Sequence, residues 1–463
     1  MPRAEPLQAA VTALLAQLRR ANVAQPLTLA EPLPEGGPED WARWLACQPG
    51  EEKLYWRSRD GQHEVAALGF ALRREGAQAR AWLDHPPADA VAGYWISGFD
   101  SADGGWPSFP QQLLWLPQLA LIREQGRSRL QIHCRNRPQQ AEVSGRLLGL
   151  RRDDARRLAP LPTAQRRDCP DRAGWQDVVD RAGAEFASGA LQKVVLARRT
   201  RLECAAEIPF WSLFQQWRRL ARNSYQIALQ LSPRRGFISF TPERLLRREG
   251  TQLFTEALAG PLTPIPSANP NLQPNPGRAA PRPAAIDAKN HHEHALVIED
   301  IRTKLARCCQ LRDDPRQGAV RLLNQPHFQH LYYPFAGQLG AGVGDGTLLA
   351  TLHPTAAVGG LPGAAAQAFI AAHEPFARGW YAGVCGPLGA PQSELAVTIR
   401  SARMDGRRLD LYAGAGIVPD SDAAQEWAEL EQKIALPLGL FGAVSNVDAA
   451  PKESHVSLCS PHS

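Results

Sequence analysis

Leu191–Arg198 reads LQKVVLAR. Period-two alternation sets Lys193, Val195 and Ala197 on one face of a strand and Val194, Leu196 and Arg198 on the other. Both faces are apolar enough to be buried, which makes this a core strand with layers on either side. Lys193 is then a lysine inside the protein, one of only six (Lys53, Lys193, Lys289, Lys304, Lys433 and Lys452) in a chain that otherwise uses Arg. Desolvation lowers a lysine's pKa towards the range of a general base. The competing reading is an edge strand whose Lys193 reaches out to water.

Upstream of this strand, short alternating runs such as Glu64–Leu72, Leu113–Ile122 and Arg129–His133 predict antiparallel strands, preceded by an amphipathic N-terminal helix. Residues 151–173, rich in Arg, Asp and Pro, predict a linker into a helix over Trp175–Ser188. Downstream, strands and helices intermix without regular βαβ alternation, which implies an α+β fold. The segment 261–286 carries too many prolines for a helix or central strand and predicts a surface loop. The polar stretch Ser445–Ser463 predicts a disordered tail.

Composition narrows the function. The 463 residues are 44% hydrophobic, and 52 basic against 46 acidic residues leave a net charge of +6. The basic residues are scattered, which disfavours nucleic acid as a partner. No run approaches the ~18 apolar residues of a membrane span. Eight cysteines without CxxC spacing predict reduced thiols and a cytoplasmic location.

Four further stretches carry candidate chemistry. In Gly236–Glu249, GFISFTPERLLRRE, a strand ends near Thr241 and Pro242 and presents Glu243. A raised pKa would make Glu243 a general acid; alternatively it sits at a helix N-terminus capped by Thr241. Ala288–Lys304 predicts a helix with an apolar stripe of Val297, Ile298, Ile301 and Leu305, and in it Glu293 lies one turn beyond Lys289 and Asn290. Its HHEH run lacks the HExxH spacing of a zinc site, because neighbouring helix positions face different ways. Leu409–Ile434 runs from a strand through Gly414 and Gly416 into a helix with Glu426, Glu429 and Lys433 on one side. Two carboxylates on one face suit Mg²⁺ or a solvated acidic surface equally. Arg378–Gly383 and Leu395–Ser401 predict a hairpin bearing Tyr381 and Arg400, a natural carboxylate clamp.

The order of KVVLAR, TPERLLRRE, TEALAG, KNHHEH, LHPTAAVGGLP, RGWYAG, AVTIRSA and LYAGAGIV…EWAELEQK resembles the chorismate-utilising enzymes, and most of all their isochorismate synthase branch of the menaquinone pathway. That resemblance is dense from about Trp175 to Leu440. It implies two large, mainly antiparallel β-sheets flanked by helices with the active site in the cleft between them. It divides the chain into a β-rich portion over 1–160, a catalytic portion over 161–440 and a tail over 441–463.

The resemblance also implies roles. Lys193 would activate water for attack on C2 of chorismate, and Glu243 would protonate the departing 4-hydroxyl. Glu293 and Glu429 would hold Mg²⁺, with Glu426 and Asn290 acting through water. Gly260, His353, Tyr381, Arg400, Gly414 and Gly416 would contact substrate. Ala259 stands where aminodeoxychorismate synthases carry a nucleophilic lysine, and Lys193 where anthranilate synthases carry glutamine, so water is the implied nucleophile. Salicylate synthases keep the lysine, which leaves pyruvate elimination open as an alternative, beside a chorismate-binding protein of weak activity. The chain departs from the family at Gly260-Pro261, where Gly-Thr is usual. A monomer or homodimer serving menaquinone or siderophore synthesis is expected.

Overall fold

The computed structural model describes residues 5–21, 25–33, 38–84, 93–99, 105–151, 158–262, 288–312, 320–324, 329–389 and 392–446. Most of the predicted proline-rich loop and the tail beyond Asn446 lie outside them.

Two long strands organise the rest. His63–Glu75 and Gln112–Glu124 pair antiparallel along nearly their whole lengths, with a register shift between Phe70 and Leu72. On its other edge, Gln112–Glu124 pairs with Gly93–Ser97 through its first residues and with Arg127–Cys134 through its last. One strand is therefore shared by two sheet arms. The first arm continues from His63–Glu75 through Lys53–Arg57, Tyr225–Ser232, Arg235–Thr241, Ser401–Asp405 and Arg408–Ile417 to Lys193–Cys204. The second runs from Gly93–Ser97 through Val384–Leu388, Gln392–Val397, Arg244–Glu249 and Gln252–Leu262 to Gln329–Leu339. These are the two expected sheets, joined into one hydrogen-bonded surface. Among the described residues every ladder is antiparallel except the short pairing of Val444–Asn446 with Ala164–Cys169.

Alternation explains how both faces are buried. In Lys53–Arg57, Tyr55 joins an apolar cluster with the helices Glu5–Arg20, Trp41–Cys47 and Phe210–Leu220, while Leu54 and Trp56 join a second cluster shared by both arms. That second cluster also takes Val297, Ile301 and Leu305 from the helix Ala288–Leu305, three positions of its apolar stripe.

Two expectations are corrected. Residues 151–173 are not all linker, because Ala164–Cys169 is a strand on the edge of Lys193–Cys204. Arg and Asp are tolerated there since Arg166 pairs with Asp168 and Glu431 across the ladder's outer side. The tail also begins later than Ser445, which lies in the closing strand Val444–Asn446.

The seam between the arms is where the chain changes sheets. It does so once at Pro242–Glu243, between Arg235–Thr241 and Arg244–Glu249, and again at Thr398–Arg400, between Gln392–Val397 and Ser401–Asp405. The crossings are bonded to each other: Val397 N–H donates to the Glu243 carbonyl at 3.1 Å, and Phe240 N–H to the Arg400 carbonyl at 3.1 Å.

Close backbone approach fixes the second arm. A Cβ on Gly386 would lie 2.0 Å from the Glu394 carbonyl oxygen in the neighbouring strand. Backbone in mid-sheet cannot retreat cheaply, so Gly386→Ala should destabilise the protein by about 2–4 kcal/mol. A lowered urea midpoint in circular dichroism would show it.

Candidate active site

The seam opens into a cleft of about 690 Å³, counting the part open to solvent. Strands of both arms and two helices line it.

Lys193 comes from the first arm. It is 1% exposed on an interior strand, so the edge-strand reading fails. Its Nζ lies 3.1 Å from Glu293 Oε1 of the helix Ala288–Leu305. Glu243 stands at the first crossing, 6% exposed, and a strand rather than a helix follows it, so helix capping does not explain it. Its amide N–H donates to Thr241 Oγ1 at 3.2 Å. Burial pushes its carboxyl up to about 8, with Glu256 adding to the rise and Lys193 and Lys433 opposing it. Glu243 is thus a protonated acid at neutral pH, the state that a proton donor requires.

Glu293 and Glu429 also face the cleft. Lys433 Nζ donates to Glu429 Oε1 at 2.5 Å and to the Gly414 carbonyl at 2.6 Å. Burial alone would raise the Glu429 carboxyl, but Lys433, Lys289 and Arg400 outweigh it and hold it below the usual range. Glu426, 1% exposed, sits outside the cleft lining and pairs with Lys289. Burial raises its carboxyl against the pull of Lys289, and Glu429 and Glu293 add to the rise. Asn290 lies half-buried in the first turn of the Ala288–Leu305 helix.

Among the described residues no three His, Cys, Asp or Glu side chains converge closely enough to hold a metal by themselves. The donors of Glu293 and Glu429 that face the cleft are hard carboxylate oxygens, each paired with a lysine. Two such carboxylates, completed by water or ligand oxygens, fit a small divalent cation. Of the neighbouring histidines, His291 and His292 are exposed, while buried His294 donates from Nε2 to the Ala257 carbonyl at 3.1 Å.

Gly414 and Gly416 lie opposite Ala197 and Val195. Their missing side chains make room for other site residues. A Cβ on Gly414 would meet the Tyr381 hydroxyl at 2.5 Å, and one on Gly416 would meet Glu293 Oε1 at 2.0 Å. Tyr381 stacks on Tyr412 with ring centroids 5.2 Å apart, and burial raises its hydroxyl pKa. The turn that bears Tyr381 is tied to the Lys193 strand by Arg378, which donates to the Val195 carbonyl at 2.6 Å. Arg400 occupies the second crossing in the left-handed region at φ 50°, and Ala382 beside Tyr381 does so at 56°. Burial lowers the Arg400 pKa to about 10, with Glu429 and Tyr381 opposing.

His353 does not line the cleft; its Nε2 bonds to the Ala382 carbonyl at 2.9 Å, and burial lowers it to about 4. The histidine in the cleft is His330, from Gln329–Leu339, which sequence reasoning passed over. Its Cα partner is Pro261, where the ladder has shifted register after Leu258. Gly260 and Pro261 belong to the strand Gln252–Leu262, but their surroundings lie outside the described residues.

The raised Glu243 pKa has a consequence for stability. Between 4.5 and about 8 the folded protein keeps a proton that the unfolded chain loses, so stability falls as pH rises through that window. Glu243→Gln should therefore stabilise the protein at pH 7–8 by on the order of a few kcal/mol, with no gain at pH 4. Denaturant midpoints at the two pH values check this.

Comparison with known proteins agrees with this geometry. A family model described as chorismate binding enzyme matches residues 88–439. The chain is 34% identical over 448 residues to the isochorismate synthase MenF of Escherichia coli, covering 93% of this chain and 98% of that protein. It is 32% identical over 432 residues to the salicylate biosynthesis isochorismate synthase of Pseudomonas aeruginosa, covering 87% of this chain and 88% of that one. The solved structure of E. coli MenF, described as the menaquinone-specific isochorismate synthase, superposes with a TM-score of 0.81 at 31% identity, covering 94% of this chain and all of that one. A seam lined by an acid, a lysine and paired carboxylates, on a fold shared along nearly the whole length, places this chain in the chorismate-binding enzyme family.

Proposed function

We propose that the protein is an isochorismate synthase, converting chorismate to isochorismate with Mg²⁺ bound. The observation that carries this reading is that Lys193 and Glu243, brought from different sheet arms, face one cleft in which Glu243 holds a proton. Addition of water at C2 with loss of the 4-hydroxyl needs one base and one acid. Lys193 Nζ takes a proton from the attacking water, both ring double bonds shift by one position towards C4, and the 4-hydroxyl leaves as water with the proton from Glu243. To accept that proton Lys193 must act as the neutral amine, so the ammonium that pairs with Glu293 at 3.1 Å must first release a proton.

Chorismate carries two carboxylates. With Glu243 protonated and Lys193 acting as the neutral base, Lys433 and Arg400 offset Glu293 and Glu429 in the cleft, and Mg²⁺ would bring the positive excess that a dianion needs. Arg400 and the Tyr381 hydroxyl are the donors that clamp a carboxylate, with the amides near Gly414 and Gly416 assisting. Glu293 and Glu429 would hold Mg²⁺, and Glu426 and Asn290 would support it through water. Bound there, Mg²⁺ supplies charge neutralisation for a substrate carboxylate. His330 adds a polar wall that the resemblance alone did not include. Likeness over almost the full length to a menaquinone-specific enzyme supports that pathway. A cytoplasmic location and a monomer or homodimer complete the proposal. No described helix is long and apolar enough to cross a membrane.

Incubation with chorismate and Mg²⁺ should yield isochorismate by chromatography, without salicylate. Absence of isochorismate would refute the proposal, and salicylate would replace it with the lyase reading. Lys193→Ala should lower kcat by about 10²–10⁴-fold while leaving the circular dichroism unchanged. Exhaustive chelation should stop turnover, and added Mg²⁺ should restore it.

A further inference from the structure

The backbone on both sides of Glu243 is held by a closed set of contacts that begins far away in the chain. Arg59 lies in the turn between Lys53–Arg57 and His63–Glu75, outside the residues matched by the family model. One Arg59 nitrogen donates to the Pro242 carbonyl at 2.5 Å. The guanidinium also grips Glu256 with both ends, at 2.6 and 2.8 Å. Glu256 Oε1 in turn accepts from the Arg244 N–H at 3.1 Å. The circuit runs from Pro242 through Arg59 and Glu256 to Arg244, so the residue before Glu243 and the residue after it are both fixed by one buried ion pair. The Glu256 side chain is fully buried and that of Arg59 is 15% exposed.

Outer contacts brace the circuit. Arg244 Nε donates to the Tyr225 hydroxyl at 2.9 Å, and that hydroxyl donates to Glu394 Oε1 at 2.6 Å. With both flanking peptides held, the Glu243 side chain remains the moving part, directed into the cleft.

We infer that Arg59 and Glu256 are positioning residues for the reaction: as a bidentate pair they clamp the Pro242–Arg244 backbone and so hold the Glu243 carboxyl at the height and angle its proton transfer needs. This rests on the reading of Glu243 as the acid. A largely buried arginine in a turn between N-terminal strands thereby becomes part of the acid's support, and a lysine cannot replace it. The single ammonium of Lys lacks the planar fork that spans a carbonyl and two carboxylate oxygens at once.

The pair also sets the charge around the acid. Glu256 on the strand Gln252–Leu262 acts on Glu243 directly, while Glu293 and Glu429 line the same cleft from two helices. Lys193, Lys433 and Arg400 face it with positive charge, and His330 and Tyr381 complete the titratable neighbours. Replacing Glu256 by Gln removes a negative neighbour and leaves Arg59 and Arg244 less compensated; both changes favour the ionised form of Glu243.

The test uses the full chain with Mg²⁺ and chorismate. Arg59→Gln and Arg59→Lys should each lower kcat by about tenfold or more with KM changed by less than about threefold, as expected for a displaced catalytic group. Glu256→Gln should move the high-pH limb of kcat to lower pH. In infrared titration, the protonated carboxyl band lost in Glu243→Gln should likewise titrate at lower pH in Glu256→Gln, with or without turnover. A folded Arg59→Gln with wild-type kcat overturns the inference, as does a loss confined to KM. An unmoved carboxyl band overturns it too, even if Arg59→Gln does not fold. A wild type without turnover would remove the assigned reaction, whereas an active wild type indifferent to Arg59→Gln removes only the positioning role.

Discussion

Charge kept out of water must be paired or neutralised, and the seam between the two sheet arms is built around that constraint. Glu293, Glu426 and Glu429 are each matched to a lysine, namely Lys193, Lys289 and Lys433. Half of the chain's six lysines are committed to this one region. Glu256 is matched to Arg59 and Arg244. Among the described residues, Glu243 alone of these buried carboxylates has no cation within ion-pairing distance, and burial beside Glu256 pushes its carboxyl up to about 8. The proposed division between an acid and metal-holding carboxylates therefore tracks which ones the fold supplies with a counter-ion.

Geometry at the seam is held at some conformational cost. Ala382 and Arg400 adopt left-handed backbone that side-chain-bearing residues seldom occupy. Both are fixed by hydrogen bonds from neighbouring segments: Ala382 N–H donates to Thr398 and its carbonyl accepts from His353, while the Arg400 carbonyl accepts from Phe240. Strain of this kind persists only where the surroundings over-determine it, and here it turns Tyr381 and Arg400 towards a shared space.

Lys193 was readable in the sequence because its strand is apolar on both faces, a pattern that an interior strand produces and an exposed one does not. The Glu293 helix and the Glu426–Glu429 helix were readable from stripe and spacing. The strand after Glu243 was not, since RLLRRE suits an exposed helix as well as a strand whose partners, Gln392–Val397 and Gln252–Leu262, are chosen by tertiary pairing. Ala164–Cys169 was hidden for the same reason, its charged residues being matched by Arg198 and Glu431 from elsewhere. Gly414 and Gly416 stood out as glycines that let backbone approach a ligand, and the space they leave also admits Tyr381 and Glu293, which no spacing in the sequence announces. His330 carried no local signal: its place in the cleft depends on the ladder with Gln252–Leu262.

The pairing of Lys53–Arg57 with Tyr225–Ser232 has a consequence for how the chain is made. The early strands can pair among themselves as they leave the ribosome, but the outer edge of Lys53–Arg57 has no partner until Tyr225–Ser232 emerges. At roughly 5–20 residues per second, that edge waits on the order of ten seconds during synthesis. An open, largely apolar edge of that duration invites pairing with other nascent chains. Birth of the protein thus has a vulnerable interval, closed by the same strand pairing that later brings Arg59 to the acid.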